Sequence, residues 1–69
     1  MSNEEQIANK IFYETKQQIN KNNRLAIIPY NQFQEYYPID YKKLKKELSK
    51  FKINFCIDEK TEKIISFYK

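Results

Sequence analysis

The sequence of 69 residues has no glycine and no histidine, and it has a single cysteine, Cys56. Without glycine it cannot form the glycine-rich loop that cradles a phosphate, and without histidine it lacks the most common general base. A lone cysteine excludes an internal disulfide and indicates a reducing compartment, and with no histidine to activate it the thiol is predicted to be inert. We therefore predict that the protein is not an enzyme and has no catalytic residue, no metal site and no cofactor.

The sequence also lacks any long hydrophobic run. No apolar stretch approaches the roughly 20 residues that a membrane-spanning helix needs. The first residues include two acids, Glu4 and Glu5, instead of the basic start and apolar core of a secretion signal. These absences predict a cytoplasmic protein with no membrane partner. The length predicts one domain over residues 1–69 with a small core, to which five Phe and six Tyr contribute.

Positive charge is concentrated in the second part of the chain. Residues 1–40 carry four basic and five acidic groups, whereas residues 41–69 carry nine basic and four acidic groups. This asymmetry favours a polyanionic partner. Ile, Asn, Lys and Tyr make up about half of the chain, which is typical of an AT-rich coding sequence and indicates a low-GC bacterium or one of its phages or mobile elements. The same bias offers a second explanation of the lysines, as the default surface residue.

Three helices are predicted from hydrophobic spacing and capping residues. The first covers residues 2–21 and begins at Ser2, which has the spacing of a capping box with the acid three residues later. The second covers residues 31–37, and the third covers residues 40–51 with Asp40 as its N-cap. Apolar residues recur in the third helix at steps of three and four, and this seam consists of Tyr41, Leu44, Leu48 and Phe51.

Two β-elements are predicted. Residues 25–28 are too short for a helix and favour a short strand, and the alternation in residues 52–68 predicts a β-hairpin. A hairpin loop of this length usually needs a residue at positive φ, and with no glycine we expect Glu62 or Lys60 to take that conformation. The alternation directs one set of side chains to the core, namely Ile53, Phe55, Ile57, Ile65 and Phe67. The opposite face would expose a small apolar patch, a candidate protein or homodimer interface, made of Cys56, Ile64 and Tyr68.

The order of these elements is helix, short strand, helix, helix, strand, turn and strand, with Pro38 in a tight turn between the second and third helices. This order resembles the winged helix-turn-helix fold, and the resemblance covers essentially the whole chain. It implies a small α+β domain in which residues 31–51 form the helix-turn-helix and residues 52–68 form the wing. In such proteins the second helix of the motif contacts base edges, and flanking basic groups contact phosphates.

The predicted nucleic-acid contacts are therefore lysines of the third helix and of the hairpin: Lys42, Lys43, Lys45, Lys46, Lys50, Lys52, Lys60 and Lys63. Two of them, Lys42 and Lys43, stand at the positive end of the helix dipole, a locally unfavourable position that indicates a use for them. The only arginine, Arg24, lies outside this helix, which also has no Asn or Gln. The side chains that read bases bidentately are absent, so we expect DNA binding with weak sequence preference and steep salt dependence.

Two alternatives remain at this stage. The lysines could be an ordinary solvated helix face, and Lys60 and Lys63 are surrounded by acids, as in an ordinary charged turn. Tyr36 and Tyr37 could stack unpaired bases or simply form the outer part of the core.

The leading function is a transcriptional regulator or a replication accessory that binds DNA. The alternative is a protein-binding adaptor or inhibitor that modulates a larger polymerase, helicase, nuclease or host defence enzyme.

Overall fold

In a computed structural model that describes residues 2–69, three helices pack on one face of a three-stranded antiparallel sheet. The helices are α1 (Asn3–Gln18), a 3₁₀-helix (Tyr30–Tyr36) and α2 (Tyr41–Ser49). The strands are β1 (Ala26–Pro29), β2 (Ile53–Asp58) and β3 (Lys63–Tyr68). The predicted α+β class is confirmed, and the elements follow one another in the predicted order.

The central strand of the sheet is β3, which pairs with β1 on one side and with β2 on the other. Ser66 lies opposite Ala26 of β1 and opposite Phe55 of β2. The short segment predicted at residues 25–28 is therefore an edge strand of the sheet, displaced by one residue toward the C-terminus.

The two α-helices are shorter than predicted, whereas the second helix keeps its predicted length of seven residues and begins one residue earlier. α1 ends at Gln18 because Ile19 has an extended backbone conformation and the chain then turns. The second helix is a 3₁₀-helix of seven residues without a side-chain N-cap. A segment this short gains too few α-helical hydrogen bonds to offset the cost of nucleation, which favours the tighter 3₁₀ turn.

Three local predictions are confirmed. The Ser2 hydroxyl accepts the Glu5 N–H at 3.2 Å at the start of α1, and the Asp40 carboxylate accepts the Lys43 N–H at 3.2 Å at the start of α2. In the glycine-free hairpin loop, Glu62 takes the positive φ, at 55°. Sequence signals that depend on a few neighbouring residues are thus realised in the fold.

The core lies between the helices and the inner face of the sheet. Burial of each large aliphatic or aromatic side chain there contributes about 1.5–3 kcal/mol. Its largest buried members are Ile7, Ile11, Ile28, Phe33, Leu44, Leu48, Ile53 and Ile64. Phe12 and Phe51 stack beside it with their ring centroids 4.4 Å apart, which joins α1 to the segment after α2.

The prediction for the two faces of β3 is wrong. Ile64 is 1% exposed and belongs to the core, whereas Ile65 is half-buried on the outer face of the sheet. The cause is the register, because Ile64 pairs with Ile57 and cross-strand partners share a face. Both Ile64 and Ile65 are apolar, so alternation alone could not choose between them, and a shift of one residue exchanges the faces.

A buried polar contact joins α1 to the central strand. The hydroxyls of Thr15 and Ser66 lie 2.7 Å apart, and both residues are fully buried. Because the Thr15 hydroxyl donates its hydrogen to the Ile11 carbonyl at 2.6 Å, Ser66 is the donor to Thr15. Thr15 therefore supplies the hydrogen-bond acceptor for Ser66 in the middle of the sheet.

This direction predicts unequal effects of two substitutions. Thr15→Val leaves the Ser66 hydroxyl buried without its acceptor, and we expect a loss of about 1–3 kcal/mol in the free energy of unfolding. Ser66→Ala leaves the Thr15 hydrogen bond to Ile11 intact, and we expect a loss below about 1 kcal/mol. The double variant should be more stable than Thr15→Val alone, as measured by urea unfolding. Strictly additive losses would contradict the assigned direction.

Candidate nucleic-acid interface

Two buried leucines fix the orientation of α2. Leu44 and Leu48 are fully buried and lie one turn apart on the same side of the helix. An α-helix turns by about 100° per residue, so most of the remaining positions of α2 are directed to solvent. All eight lysines predicted to contact nucleic acid are exposed: Lys42, Lys43, Lys45, Lys46, Lys50, Lys52, Lys60 and Lys63.

One side of α2 carries unpaired positive charge. Lys42, Lys45 and Lys46 recur at steps of three and four residues and therefore share a side of the helix, which continues to Ser49. Within residues 2–69, none of these three lysines forms an ion pair with a carboxylate. We call Lys42, Lys45 and Lys46 the lysine stripe.

The other exposed side of α2 is partly neutralised by acids. The Lys43 Nζ atom lies 3.8 Å from Glu4 Oε1, and the Lys50 Nζ atom lies 3.1 Å from Glu47 Oε2. A carboxylate so close compensates much of the lysine's field at a distance. Lys43 and Lys50 are therefore weaker candidates for phosphate contacts than the lysine stripe.

Glu4 also connects the starts of the two α-helices. Its side chain is largely buried, and its Oε2 atom accepts the Asp40 N–H at 3.5 Å. Asp40 in turn caps α2, so Glu4 supports the position of the first turn of the lysine-bearing helix. Sequence reasoning assigned Glu4 no contact with the third helix, because no local pattern links residues that are this far apart in the chain.

The C-terminal end of α2 gathers two further lysines. Lys52 has φ at 58°, the left-handed conformation in which glycine often ends a helix. Its carbonyl accepts the Lys69 N–H at 3.0 Å, and the Lys69 Nζ donates to the Ser49 hydroxyl at 3.1 Å. Lys69 thus lies at the end of the side occupied by the lysine stripe. No sequence signal indicated this placement, because it depends on the pairing of β3 with β2.

The hairpin turn is a weaker candidate. Asp58 accepts the N–H groups of Lys60 and Thr61 at 3.1 and 3.4 Å. A hydrogen bond from the Thr61 side chain, supported by these N–H groups and by nearby Lys63, lowers the pKa of the Asp58 carboxyl. Asp58 is therefore ionised at neutral pH and offsets positive charge of Lys60 and Lys63.

The two tyrosines predicted to stack bases have different surroundings. The Tyr36 hydroxyl donates to Gln6 Oε1 at 3.3 Å, and Lys10 Nζ lies 5.1 Å from the centre of the Tyr36 ring. The hydrogen bond with Tyr36 is the main cause that raises the pKa of Lys10. The Tyr36 ring is thus already engaged, whereas Tyr37 is exposed.

Tyr37 instead belongs to a shallow groove lined by Tyr30, Tyr37, Pro38, Ile39 and Tyr41. Partial burial in this groove raises the pKa of Tyr37, and nearby Tyr41 and Glu62 act in the same direction. Burial likewise raises the pKa of Tyr30, helped by neighbours that include the turn acids Glu59 and Asp58. Acids beside this groove repel phosphate, so it is a poor site for a nucleic-acid strand.

The predicted protein-interface residues are also separated. Cys56 is exposed on the outer face of the sheet and Tyr68 is exposed at the end of β3, but Ile64 is buried, as described above. Sequence reasoning missed Leu25 and Ile27, which are 45% and 48% exposed. No sequence signal indicated this exposure, because residues 25–28 are all apolar, and the segment was predicted as a short strand without an assignment of its faces.

Comparisons with known proteins identify no relative: no family model, no curated protein and no solved structure matches the chain. Within residues 2–69, no three Cys, Asp or Glu side chains are grouped so that they could hold a metal ion. No helix in that part of the chain is long and apolar enough to cross a membrane.

The role of Glu4 predicts a loss of stability that an exposed acid does not share. Glu4→Ala removes a charged hydrogen-bond acceptor from the Asp40 N–H, and we expect the free energy of unfolding to fall by about 1–2 kcal/mol. The matched control is Glu35→Ala, since Glu35 pairs with Lys10 at 3.6 Å in a solvent-exposed position. The control should change stability by less than about 0.5 kcal/mol. Equal losses in urea unfolding would show that Glu4 does not connect the helices.

Proposed function

We propose that the protein is a non-enzymatic, DNA-binding protein of the winged helix-turn-helix type, which binds through the lysine stripe of α2. One observation carries the proposal. Lys42, Lys45 and Lys46 are exposed and unpaired on one side of a helix whose opposite side is fixed in the core by Leu44 and Leu48. Because the core contacts hold α2 in one orientation, its lysine stripe always faces solvent, where it can contact the phosphates of DNA.

The dimensions of α2 suit a DNA groove. An α-helix with its side chains is about 10–12 Å in diameter, and the major groove of B-DNA is about 12 Å wide. Lysines of the stripe would contact phosphates along the groove, and Lys52 and Lys69 extend the positive surface at the end of the helix. The exposed side of α2 has no Arg, Asn or Gln, so base edges would be read poorly.

The arrangement of elements supports the proposed type. The 3₁₀-helix and α2 are separated by a turn that contains Pro38, and the hairpin of β2 and β3 follows directly after α2. The short β1 completes the sheet beside β3, so the two-element motif and the hairpin belong to one packed unit. In this proposal the hairpin turn is a minor contributor, because its acids offset Lys60 and Lys63.

The biological role follows from weak sequence reading and from composition. A protein that holds DNA mostly by phosphates suits an accessory in replication or a regulator that acts through occupancy. The AT-rich coding bias favours a phage or mobile element as its source.

The lysine stripe predicts which lysines set the salt dependence of binding. Each phosphate contact adds about 0.9 to the slope of log affinity against log salt concentration. Lys42→Gln with Lys46→Gln should therefore lower the magnitude of this slope by about 2. Fluorescence anisotropy with a labelled duplex, measured over a series of salt concentrations, gives the slope.

The matched control is Lys43→Gln with Lys50→Gln, which removes the same net charge from the neutralised side of α2. We expect its slope to stay close to that of the unmodified protein. An equal reduction in both double variants would assign binding to net charge instead of to the lysine stripe. No binding of the unmodified protein at low salt would contradict the proposed function itself.

A second candidate function is a protein-binding adaptor or inhibitor. The observation that favours it is an exposed apolar surface on the outer face of the sheet, far from the core side where the helices pack. Leu25 and Ile27 are the most exposed aliphatic side chains there.

A further inference from the structure

The outer face of the sheet is apolar and uncovered within residues 2–69. The register places Ile27, Ile65 and Cys56 side by side across the three strands, with Phe67 in the next row. Ile27 and Cys56 are exposed, and Ile65 and Phe67 are half-buried. The helices pack on the opposite face, so this surface takes no part in the core. Contiguous exposed apolar surface of this kind commonly marks a protein interaction site.

The edges of the sheet are less open than this face. The Gln18 side chain donates to the Ile27 carbonyl at 3.0 Å and accepts the Ile27 N–H at 2.9 Å, in place of a neighbouring strand. On the other edge, the Asn54 side chain accepts the Phe55 N–H at 2.9 Å. Side chains that occupy edge groups hinder the addition of a further strand. A partner would therefore dock on the outer face more readily than on an edge.

A cleft of about 500 Å³ lies at one end of this surface. It is lined by Ile19, Asn20, Lys21, Arg24, Leu25, Phe67 and Tyr68. The wall that carries the two cations is a structured turn, in which Asn20 Oδ1 accepts the N–H groups of Asn22 and Asn23 at 2.8 and 3.1 Å. Asn23 also donates to the Gln18 carbonyl at 2.9 Å, which joins the turn to the end of α1.

The lining of the cleft combines apolar and basic side chains. Ile19, Leu25 and Phe67 are apolar, and Lys21 and Arg24 carry positive charge. Within residues 2–69, neither cation forms an ion pair with a carboxylate. Arginine beside an apolar surface is well suited to a carboxylate, which it can bind through two parallel hydrogen bonds.

From this geometry we infer that the outer face and its cleft dock an acidic segment of a partner protein, in which carboxylates flank aliphatic or aromatic side chains. The apolar side chains of the partner would contact Ile19, Leu25 and Phe67, and its carboxylates would pair with Lys21 and Arg24. This inference gives the second candidate function its site and rests on that candidate, while DNA binding by α2 is independent of it.

The charge of this surface favours an acidic partner over a second copy of the chain. At the strand positions of the outer face, the only acid is Asp58, which is paired in register with Lys63 and bonded to the turn. Two copies placed face to face would bring together Lys21 and Arg24 of each copy with little acid to oppose them. Four apolar residues of the cleft and the outer face are aliphatic, namely Ile19, Leu25, Ile27 and Ile65, and two are aromatic, namely Phe67 and Tyr68. Most of this surface therefore offers unpaired bases less to stack on than the aromatic platforms of single-strand binders.

The test is a selection of random dodecapeptides displayed on phage against the immobilised full chain at low salt. We expect a consensus in which Asp or Glu flanks Leu, Ile or Phe. Binding of a synthetic consensus peptide should weaken at least about tenfold in Lys21→Glu with Arg24→Glu, and similarly in Ile27→Asp, whose exposed position should leave the fold intact. The charge-matched control, Lys45→Glu with Lys46→Glu, should bind the peptide within about twofold.

Several outcomes would overturn the inference. These are the absence of a consensus, a basic or neutral consensus, and an acidic peptide that binds equally well to all variants. Sedimentation equilibrium distinguishes a different partner from a second copy of the chain. A dimer that Ile27→Asp abolishes would assign the face to self-association. DNA affinity that falls in Lys21→Glu with Arg24→Glu more than in Lys45→Glu with Lys46→Glu would assign the face to nucleic acid. Failure of the peptide test with intact stripe-dependent DNA binding would reject this inference alone.

Discussion

The register of the central strand β3 determines both surfaces of the sheet. With Ile64 and Ser66 directed inward, Ile64 completes the core and the Ser66 hydroxyl reaches Thr15 on α1. The same register directs Ile65 and Phe67 outward, where they form the apolar outer face. A shift of one residue would bury Phe67 and remove the hydrogen bond between Ser66 and Thr15. The register of β3 therefore decides which residues form the core and which form the candidate docking surface.

A second constraint acts on α2 and divides its lysines into two groups. Burial of Leu44 and Leu48 fixes the rotation of the helix, and Glu4 and Glu47 lie beside the lysines on one side only. A helix with four lysines and one acid in its sequence is therefore asymmetric in charge once it is folded. The unpaired side lies on α2 and the apolar face lies across the sheet, which allows a DNA site and a protein site to coexist on a small domain.

Much of the fold could be predicted because its signals are local. Caps at Ser2 and Asp40 and the seam through Leu44 and Leu48 depend on residues within one or two turns. The faces of β3 could not be predicted, because apolar residues occupy both of them and only the pairing with β1 and β2 decides. The contacts of Glu4 and of Lys69 were also beyond prediction, since each joins segments that are distant in the chain.

Titration of the isotope-labelled protein with duplex DNA, followed through the amide signals by NMR, shows whether the lysine stripe is the DNA-binding surface. We expect the largest shifts at Lys42, Lys45, Lys46 and Ser49, with smaller shifts at Lys52 and Lys69. These shifts should diminish as salt is added, because phosphate contacts dominate. Shifts confined to Leu25, Ile27 and Phe67, or no shifts at low salt, would rule out DNA binding through the lysine stripe.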